Sequence, residues 1–178
     1  FMCTALMADP AALHPGLAKR LQQISGMLRE AVAQTRFLAR GLVPVGRGPD
    51  ALQTGLAELA ERTNELGGIR CRFECHEPVQ MSDPVVASHL YRIAQEATNN
   101  ALKHARASRL TIRLAKKHGV IRLEISDNGA GLPGGPRERQ GLGLDVIQHR
   151  ARLIGAEFAI SSKRGEGVTI LCELPLKP

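Results

Sequence analysis

The chain has 178 residues, 43% hydrophobic and 23% charged, the balance of one globular domain or of one domain with a short appendage. With no Trp, one Tyr and four Phe, its core is aliphatic, and it lacks the aromatic platforms on which single-stranded nucleic acid stacks. No apolar run approaches ~18 residues and no leader pattern opens the chain, so neither a membrane span nor a secretory signal is expected.

Net charge is +7, from 24 Lys and Arg against 17 Asp and Glu. Residues 105–178 hold 13 basic and 7 acidic groups, a local excess of +6 that attracts phosphates. These basic residues alternate along predicted strands instead of clustering on one helix, so no direct nucleic-acid contact is expected. Four cysteines (Cys3, Cys71, Cys75 and Cys172) show no Cys-x-x-Cys spacing. Cys71 and Cys75 share a strand face about 13 Å apart, too far for a disulfide. They read as small buried hydrophobes in a reducing compartment.

Along the chain, Leu17, Leu21, Ile24, Leu28, Val32, Thr35, Leu38 and Leu42 repeat at steps of three and four, which predicts one amphipathic helix over 15–42. Such a stripe has to bury itself, in a helical hairpin or a dimer. Residues 43–49, rich in Pro and Gly, form a linker. Asp50 is placed to cap a helix through Leu52, Leu56, Leu59, Ala60 and Thr63 to Gly67-Gly68. Alternation at Ile69, Cys71, Phe73 and Cys75 predicts a half-buried strand.

Ser82-Asp83-Pro84 starts a helix running to His104, with Val86, Leu90, Ile93, Ala97 and Ala101 inward. Two strands follow, through Leu110, Ile112 and Leu114 and through Ile121, Leu123 and Ile125, turning at His118-Gly119. A Gly-rich loop over 127–143, a helix over 144–153 ending at Gly155, and strands near 156–162 and 168–174 complete the chain. This order implies helices packed on one face of a mixed sheet.

Three segments carry chemistry. The first is Glu96-Ala97-Thr98-Asn99-Asn100-Ala101-Leu102-Lys103-His104, where Glu96 and Asn100 lie about 40° apart around the helix and Lys103 follows on the same side. A carboxylate can orient or deprotonate an attacking group, an amide oxygen can ligate Mg²⁺ and a lysine can meet phosphate. The same triplet also suits a solvated helix face. The second is Asp127-Asn128-Gly129-Ala130-Gly131 at a strand end, where glycines let a ligand approach closely and Asp127 can accept from an exocyclic amine. An ordinary strand-exit turn has the same composition. The third is Gly141-Leu142-Gly143 opening a helix, which can offer N–H groups to phosphate or be a flexible loop. It is not a Walker loop, because no Gly-Lys-Ser/Thr follows.

In this order the three segments resemble the GHKL ATPase superfamily of gyrase-type topoisomerases, heat-shock-protein ATPases, mismatch-repair ATPases and histidine kinases, over residues 50–178. The run Glu-Ala-Thr-Asn-Asn-Ala-Leu-Lys-His-Ala is similar to that of sensor histidine kinases of the nitrate-sensor and desaturase-thermosensor group. Thr35-Arg36-Phe37-Leu38-Ala39-Arg40-Gly41-Leu42-Val43-Pro44 resembles the second helix of that group's dimerisation hairpin. The resemblance implies an α+β fold, a two-layer α/β sandwich of GHKL (Bergerat) type preceded by a long helix. It places the end of the hairpin at 1–44 and an ATP-binding catalytic domain at 45–178.

The implied cofactors are ATP and Mg²⁺. Glu96 is implied as the catalytic carboxylate and Asn100 as the Mg²⁺ ligand, with Lys103 and His104 facing the phosphates. Asp127 is implied at the adenine amine, Gly129 and Gly131 along that wall, and Gly141, Leu142 and Gly143 over the phosphates. A histidine at a helix end also suits the C-terminal dipole without any ligand. The lid over 132–140 carries Arg137 and Arg139 and no phenylalanine-rich box.

Two departures stand out. Gly167-Val168-Thr169 replaces the family's Gly-Thr before the last strand, so a hydroxyl contact near adenine is lost or falls to Thr169. No histidine is followed by an acidic residue on a first hairpin helix, so the phosphoacceptor is expected upstream of Phe1, in a longer protein.

The resemblance implies histidine phosphorylation in a two-component system. Its partner is a response regulator with a DNA-binding output domain, and the full-length protein is a homodimer. The location is cytoplasmic, with any inner-membrane anchor elsewhere in the full-length protein. Two rivals are a GHKL serine kinase of an anti-sigma system and a non-catalytic nucleotide-gated interaction module.

Overall fold

The structure, a computed structural model, describes residues 48–66, 68–132 and 142–176. The chain divides into two units, 1–43 and 44–178, and all described residues belong to the second. The helix expected over 15–42, most of the linker and the lid over 133–140 therefore lie outside the described residues.

Helix α1 (Ala51–Glu65) follows the predicted periodicity, burying Leu52, Leu56, Leu59, Ala60 and Thr63. Asp50 does not cap it: its side chain makes no cap bond, and its backbone carbonyl accepts from the Thr54 amide at 3.0 Å instead. Strand β1 (Arg70–Glu74) follows. Helix α2 (Pro84–Asn100) starts as the sequence predicts, with Asp83 Oδ1 accepting from the amides of Val85 (2.8 Å) and Val86 (3.2 Å) and Pro84 in the first turn.

The α-helical path stops four residues short of His104. Ala101–Ala105 winds on as one π-turn and ends at Arg106, which is left-handed at φ 50°. Strands β2 (Arg109–Lys117) and β3 (Val120–Asp127) form the expected hairpin. Its two turn residues, His118 at φ 49° and Gly119 at φ 76°, are both left-handed, as a tight hairpin of matching twist requires. Helix α3 (Leu142–Leu153) begins two residues earlier than its apolar pattern indicates and so includes Gly143. Strands β4 (Glu157–Lys163) and β5 (Gly167–Pro175) complete the unit.

The sheet order is β1-β2-β3-β5-β4, with β1 parallel to β2 and every other pair antiparallel. The mixed sheet and the single helical layer are as the element order predicts. Leu52 and Leu56 of α1, Leu90 and Ile93 of α2 and Ile147 of α3 are fully buried, as are Ile112 of β2 and Ile121 and Leu123 of β3. Each such side chain contributes about 1.5–3 kcal/mol by leaving water. Cys71 and Cys172 are packed into this layer, where burial pushes their thiols up to about 11 and about 12. Arg62 ties α1 to α2 by donating to the Tyr91 hydroxyl at 2.9 Å.

The opposite face of the sheet is polar. There Arg113 bridges Glu74 and Glu124 (2.8 Å each), and Arg122 bridges Glu124 (3.2 Å) and Glu173 (3.3 Å). This chain of exposed pairs fixes side-chain register across four strands more than it adds stability.

Candidate nucleotide site

The strand register decides which residues can meet. Asp127 lies opposite Leu110 and two positions from buried Ile125, so it faces the helical layer. It is half-buried, and its Oδ1 accepts the Gly129 amide at 2.8 Å. Burial raises its pKa above the ordinary carboxylate value, while the amides of Gly129 and Val168 pull it partly back.

The loop after Asp127 is tied on both sides. Asn128 Oδ1 accepts the amides of Ser108 (3.0 Å) and Arg109 (2.8 Å), and its Nδ2 donates to Ser108 Oγ at 3.0 Å. The Ala130 amide donates to the carbonyl of Ala105, the last residue of the π-turn, at 2.8 Å. On the other side, the Gly165 amide donates to the Ala130 carbonyl at 2.9 Å and the Leu132 amide to Ser162 Oγ at 2.8 Å.

Glycine is required at two points of this loop. A Cβ on Gly129 would overlap the Ala105 carbonyl, and one on Gly131, at φ 77°, would lie 2.5 Å from the Lys163 carbonyl oxygen. Gly167, at φ 85°, has its own Cα-side space filled by the Asp127 carbonyl.

The second half of the site is where α2 ends and α3 begins. Glu96 and Asn100 are half-buried on the last turns of α2. Gly143 sits against both: an added Cβ would lie 2.7 Å from Glu96 Oε1 and 2.9 Å from each amide atom of Asn100. The absent side chain is what lets α3's first turn close on the carboxylate and the amide. Further along α3, Arg150 is within electrostatic reach of Glu96 and of Arg92. Burial and Arg92 lower its pKa, and Glu96 raises it.

Of the residues singled out in the sequence, Glu96, Asn100 and Gly143 are brought together, and Asp127, Gly129 and Gly131 form one pinned loop. The π-turn joins the two groups, since Ala105 both ends it and supports Gly129 and Ala130. Lys103 and His104 are exposed on that turn and have no ion pair among the described residues. Gly141 and the side chain of Leu142 lie outside the described residues.

Thr169 is not brought to the site. It pairs with Ser126 on the polar face of the sheet, their hydroxyls 3.0 Å apart, so strand alternation turns it away from Asp127. Val168 holds the helix-facing position, and the hydroxyl that the Gly-Thr pattern supplies is absent there.

Asn128 and Ser162 also build this site, by the bonds that hold its loop on either side. Asp-Asn-Gly signals a turn, and an amide side chain suited to bridging is visible in it. Nothing in the sequence marks Ser162, whose role arises from a hairpin brought alongside the loop.

An α/β sandwich with a carboxylate, an amide and a glycine at facing helix ends, beside a pinned glycine loop, has the layout of a nucleotide-binding domain. Residues 85–178 match the family described as histidine kinase-, DNA gyrase B-, and HSP90-like ATPase, and the chain belongs to that family. It is 31% identical over 99% of its length to the sensor histidine kinase LiaS of Bacillus subtilis, covering 49% of that protein. It is 30% identical over 92% of its length to the sensor protein VraS of Staphylococcus aureus, covering 47%. The chain thus spans about half the length of these curated relatives.

Among solved structures it resembles the histidine kinase domain of a blue-light activated kinase from Erythrobacter litoralis, with a TM-score of 0.60 at 18% identity, covering 98% of this chain and 81% of that one. It also resembles the ATP binding domain of PrrB from Mycobacterium tuberculosis, with a TM-score of 0.58 at 20% identity, covering 70% and 93%. These two likenesses bear on the fold alone. The relatives do not single out the nitrate-sensor and desaturase-thermosensor group, and that finer assignment is not retained. Among the described residues no helix is long and apolar enough to cross a membrane.

Proposed function

We propose that this chain binds ATP with Mg²⁺ and transfers the γ-phosphoryl group to a histidine, as the ATP-binding part of a two-component sensor kinase. The observation that carries this reading is the contact of Gly143 with Glu96 and Asn100. It assembles a carboxylate, an amide oxygen and a helix start around a space that any side chain would fill. Membership of the ATPase family and the names of the relatives support it.

In this reading Asp127 accepts the adenine amine, backed by the amides of Gly129 and Val168, which favour its ionised form. The pinned loop from Asn128 to Leu132 forms the adenine wall. Asn100 offers one amide oxygen to Mg²⁺, and such an ion keeps several waters and takes its other ligands from nucleotide oxygens. Bound there, Mg²⁺ would supply neutralisation of phosphate charge. Among the described residues no group of three His, Cys, Asp or Glu could hold a metal by itself, so a shared ligand set is the arrangement these residues fit.

Glu96 orients the incoming imidazole and takes its proton, and Arg150 holds positive potential beside it. Lys103, His104, Gly141 and the amides of Leu142 and Gly143 at the start of α3 meet the phosphates. Catalysis rests on position and preset charge more than on covalent chemistry.

The receiving histidine belongs to a helical hairpin and is none of the six histidines of these 178 residues. The downstream partner is a response regulator with a DNA-binding output, the full protein is a homodimer, and this part works in the cytoplasm. The test is transfer from γ-labelled ATP to a supplied hairpin peptide carrying an acceptor histidine. The chain should label the peptide and not itself. Glu96→Ala should slow transfer about 10²–10⁴-fold with little change in ATP affinity. Undiminished transfer by that variant would remove Glu96 from the chemistry, and robust self-labelling at any of the six histidines would relocate the acceptor.

A further inference from the structure

The polar face of the sheet is not evenly neutralised. At its centre Arg113 and Arg122 each bridge two carboxylates. At the edge, where β1 and β2 begin, Arg70 stands directly opposite Arg109 in the parallel register, with Arg72 two positions along the same face opposite Thr111. None of these three arginines has an ion pair among the described residues, and Arg70 and Arg109 are both exposed. Like charges on facing strand positions repel and cost stability. Nothing in the packing forces this pair, since both side chains project into solvent.

The two arginines also line a groove of about 610 Å³ with Asn64, Gly68, Ile69 and Ser108. Its framework is stiff. Asn64 Oδ1 accepts the Cys71 amide at 2.7 Å, its Nδ2 donates to the Cys71 carbonyl at 2.9 Å, and the Arg70 amide donates to the Ser108 carbonyl at 2.9 Å. Ser108 Oγ accepts from Asn128, which leaves its O–H free to donate. Two guanidinium forks and a hydroxyl at the mouth of a fixed groove suit a phosphate-type oxyanion, which turns the repulsion into two charge-assisted pairs.

We propose that this groove is a second anion site, separate from the nucleotide site, which takes the phosphate group of a small phosphomonoester between Arg70 and Arg109. The volume has room for the body of a small molecule as well as its phosphate. No residue lining it belongs to the nucleotide site. Asn128 links the two, since it holds the amides of Ser108 and Arg109 and is the neighbour of Asp127.

The experiment titrates the whole chain with inorganic phosphate and, separately, with glycerol 3-phosphate at constant ionic strength, following amide chemical shifts and thermal unfolding. The expected result is saturable shifts at Arg70, Ser108 and Arg109 and a rise in Tm, with glycerol 3-phosphate binding at least as tightly as phosphate. Arg70→Gln and Arg109→Gln should each weaken binding tenfold or more, and Arg113→Gln should leave it unchanged. Without phosphate, either groove variant should melt no lower than the parent, because it removes a repulsion. Shifts confined to Gly143 and Lys103, equal binding by the groove variants, or a lower Tm of both variants without ligand would overturn the proposal. Binding of inorganic phosphate with exclusion of glycerol 3-phosphate would overturn the phosphomonoester assignment.

Discussion

In the proposed site, Gly143 is a residue at which activity should separate from stability. It lies inside α3, where alanine is favoured over glycine by about 1 kcal/mol. Its neighbours on the missing side are the ends of two flexible side chains, Glu96 and Asn100, which can move aside. Gly143→Ala should therefore melt at the same temperature or higher, yet lose phosphoryl transfer tenfold or more. Loss of both together would mean that the contact is structural. Gly129 makes the contrast: its added Cβ would meet the backbone carbonyl of Ala105, which cannot rotate away, so Gly129→Ala should unfold the domain edge.

Asp127 carries a pH prediction. Its folded pKa is raised by burial, so between the ordinary carboxylate value and that raised value the folded chain holds more proton than the unfolded one. Its contribution to stability accordingly falls as pH rises through that window. ATP bound as proposed would reverse the preference, since an amine donating to the carboxylate favours the ionised form. Affinity should weaken as pH drops through the raised pKa, with proton release on binding in that range by calorimetry in two buffers. Asp127→Asn should lose about 10–100-fold in affinity, the worth of one charge-assisted bond, and should lose the proton release too.

The place of both residues in the fold, Asp127 at a strand exit and Gly143 at a helix start, was legible in the sequence because each sits in a short run whose spacing carries the signal. Thr169 was not. Its assignment depended on a one-residue register in the last strand, and strand alternation makes one residue the difference between the two faces of the sheet.

At the scale of elements, the start of α2 and its end show two kinds of legibility. Asp83-Pro84 is a local signal, and the structure has the cap bonds it predicts. Asp83→Ala should cost about 1 kcal/mol in denaturant titration, with unchanged ATP affinity because the site lies at the far end of the helix. The end of α2 is a tertiary outcome. Ala101, Leu102 and Ala105 continue an apolar period that reads as helix through His104, but the backbone widens into a π-turn. That turn presents the Ala105 carbonyl to the Ala130 amide, a partner 25 positions away that no local pattern reports.

Asp50 failed as a cap for the converse reason. Its backbone stands at φ −94°, ψ 2°, outside the extended conformation from which an Asp side chain reaches forward to the first free amides. Asn128 is the element-scale anchor of the loop. Asn128→Ala removes three bonds to Ser108 and Arg109 and should destabilise the domain by about 1–3 kcal/mol. It should also weaken ATP binding, because Asp127 loses its fixed neighbour.

The described unit is organised so that one edge of the sandwich bears the proposed nucleotide site and the rest holds that edge in place. The core is continuous from α1 through β5, and the proposed binding residues that the structure describes ring its rim, half-buried or exposed except for buried Gly129. A ligand at that rim spans three elements: the end of α2, the start of α3 and the loop after β3. Binding to the folded state alone stabilises by about 2.7 kcal/mol at a ligand concentration of 100 Kd. ATP with Mg²⁺ should therefore raise Tm. The rise should be largely lost in Asp127→Asn, and in Asn100→Ala it should become similar with and without Mg²⁺.

Local opening is cheapest where few buried contacts hold the backbone, so the same binding should show in hydrogen exchange as slowed amides at 128–132 and 142–146. The amides of β1 and β2 should exchange at unchanged rates, because the ladder that joins these strands does not depend on a ligand at that rim. Protection spread evenly over the sheet would instead mean that nucleotide tightens the entire core, and protection confined to β1 and β2 would place it in the arginine groove. A pattern limited to the loop and the two helix ends is the one a rim-bound nucleotide produces.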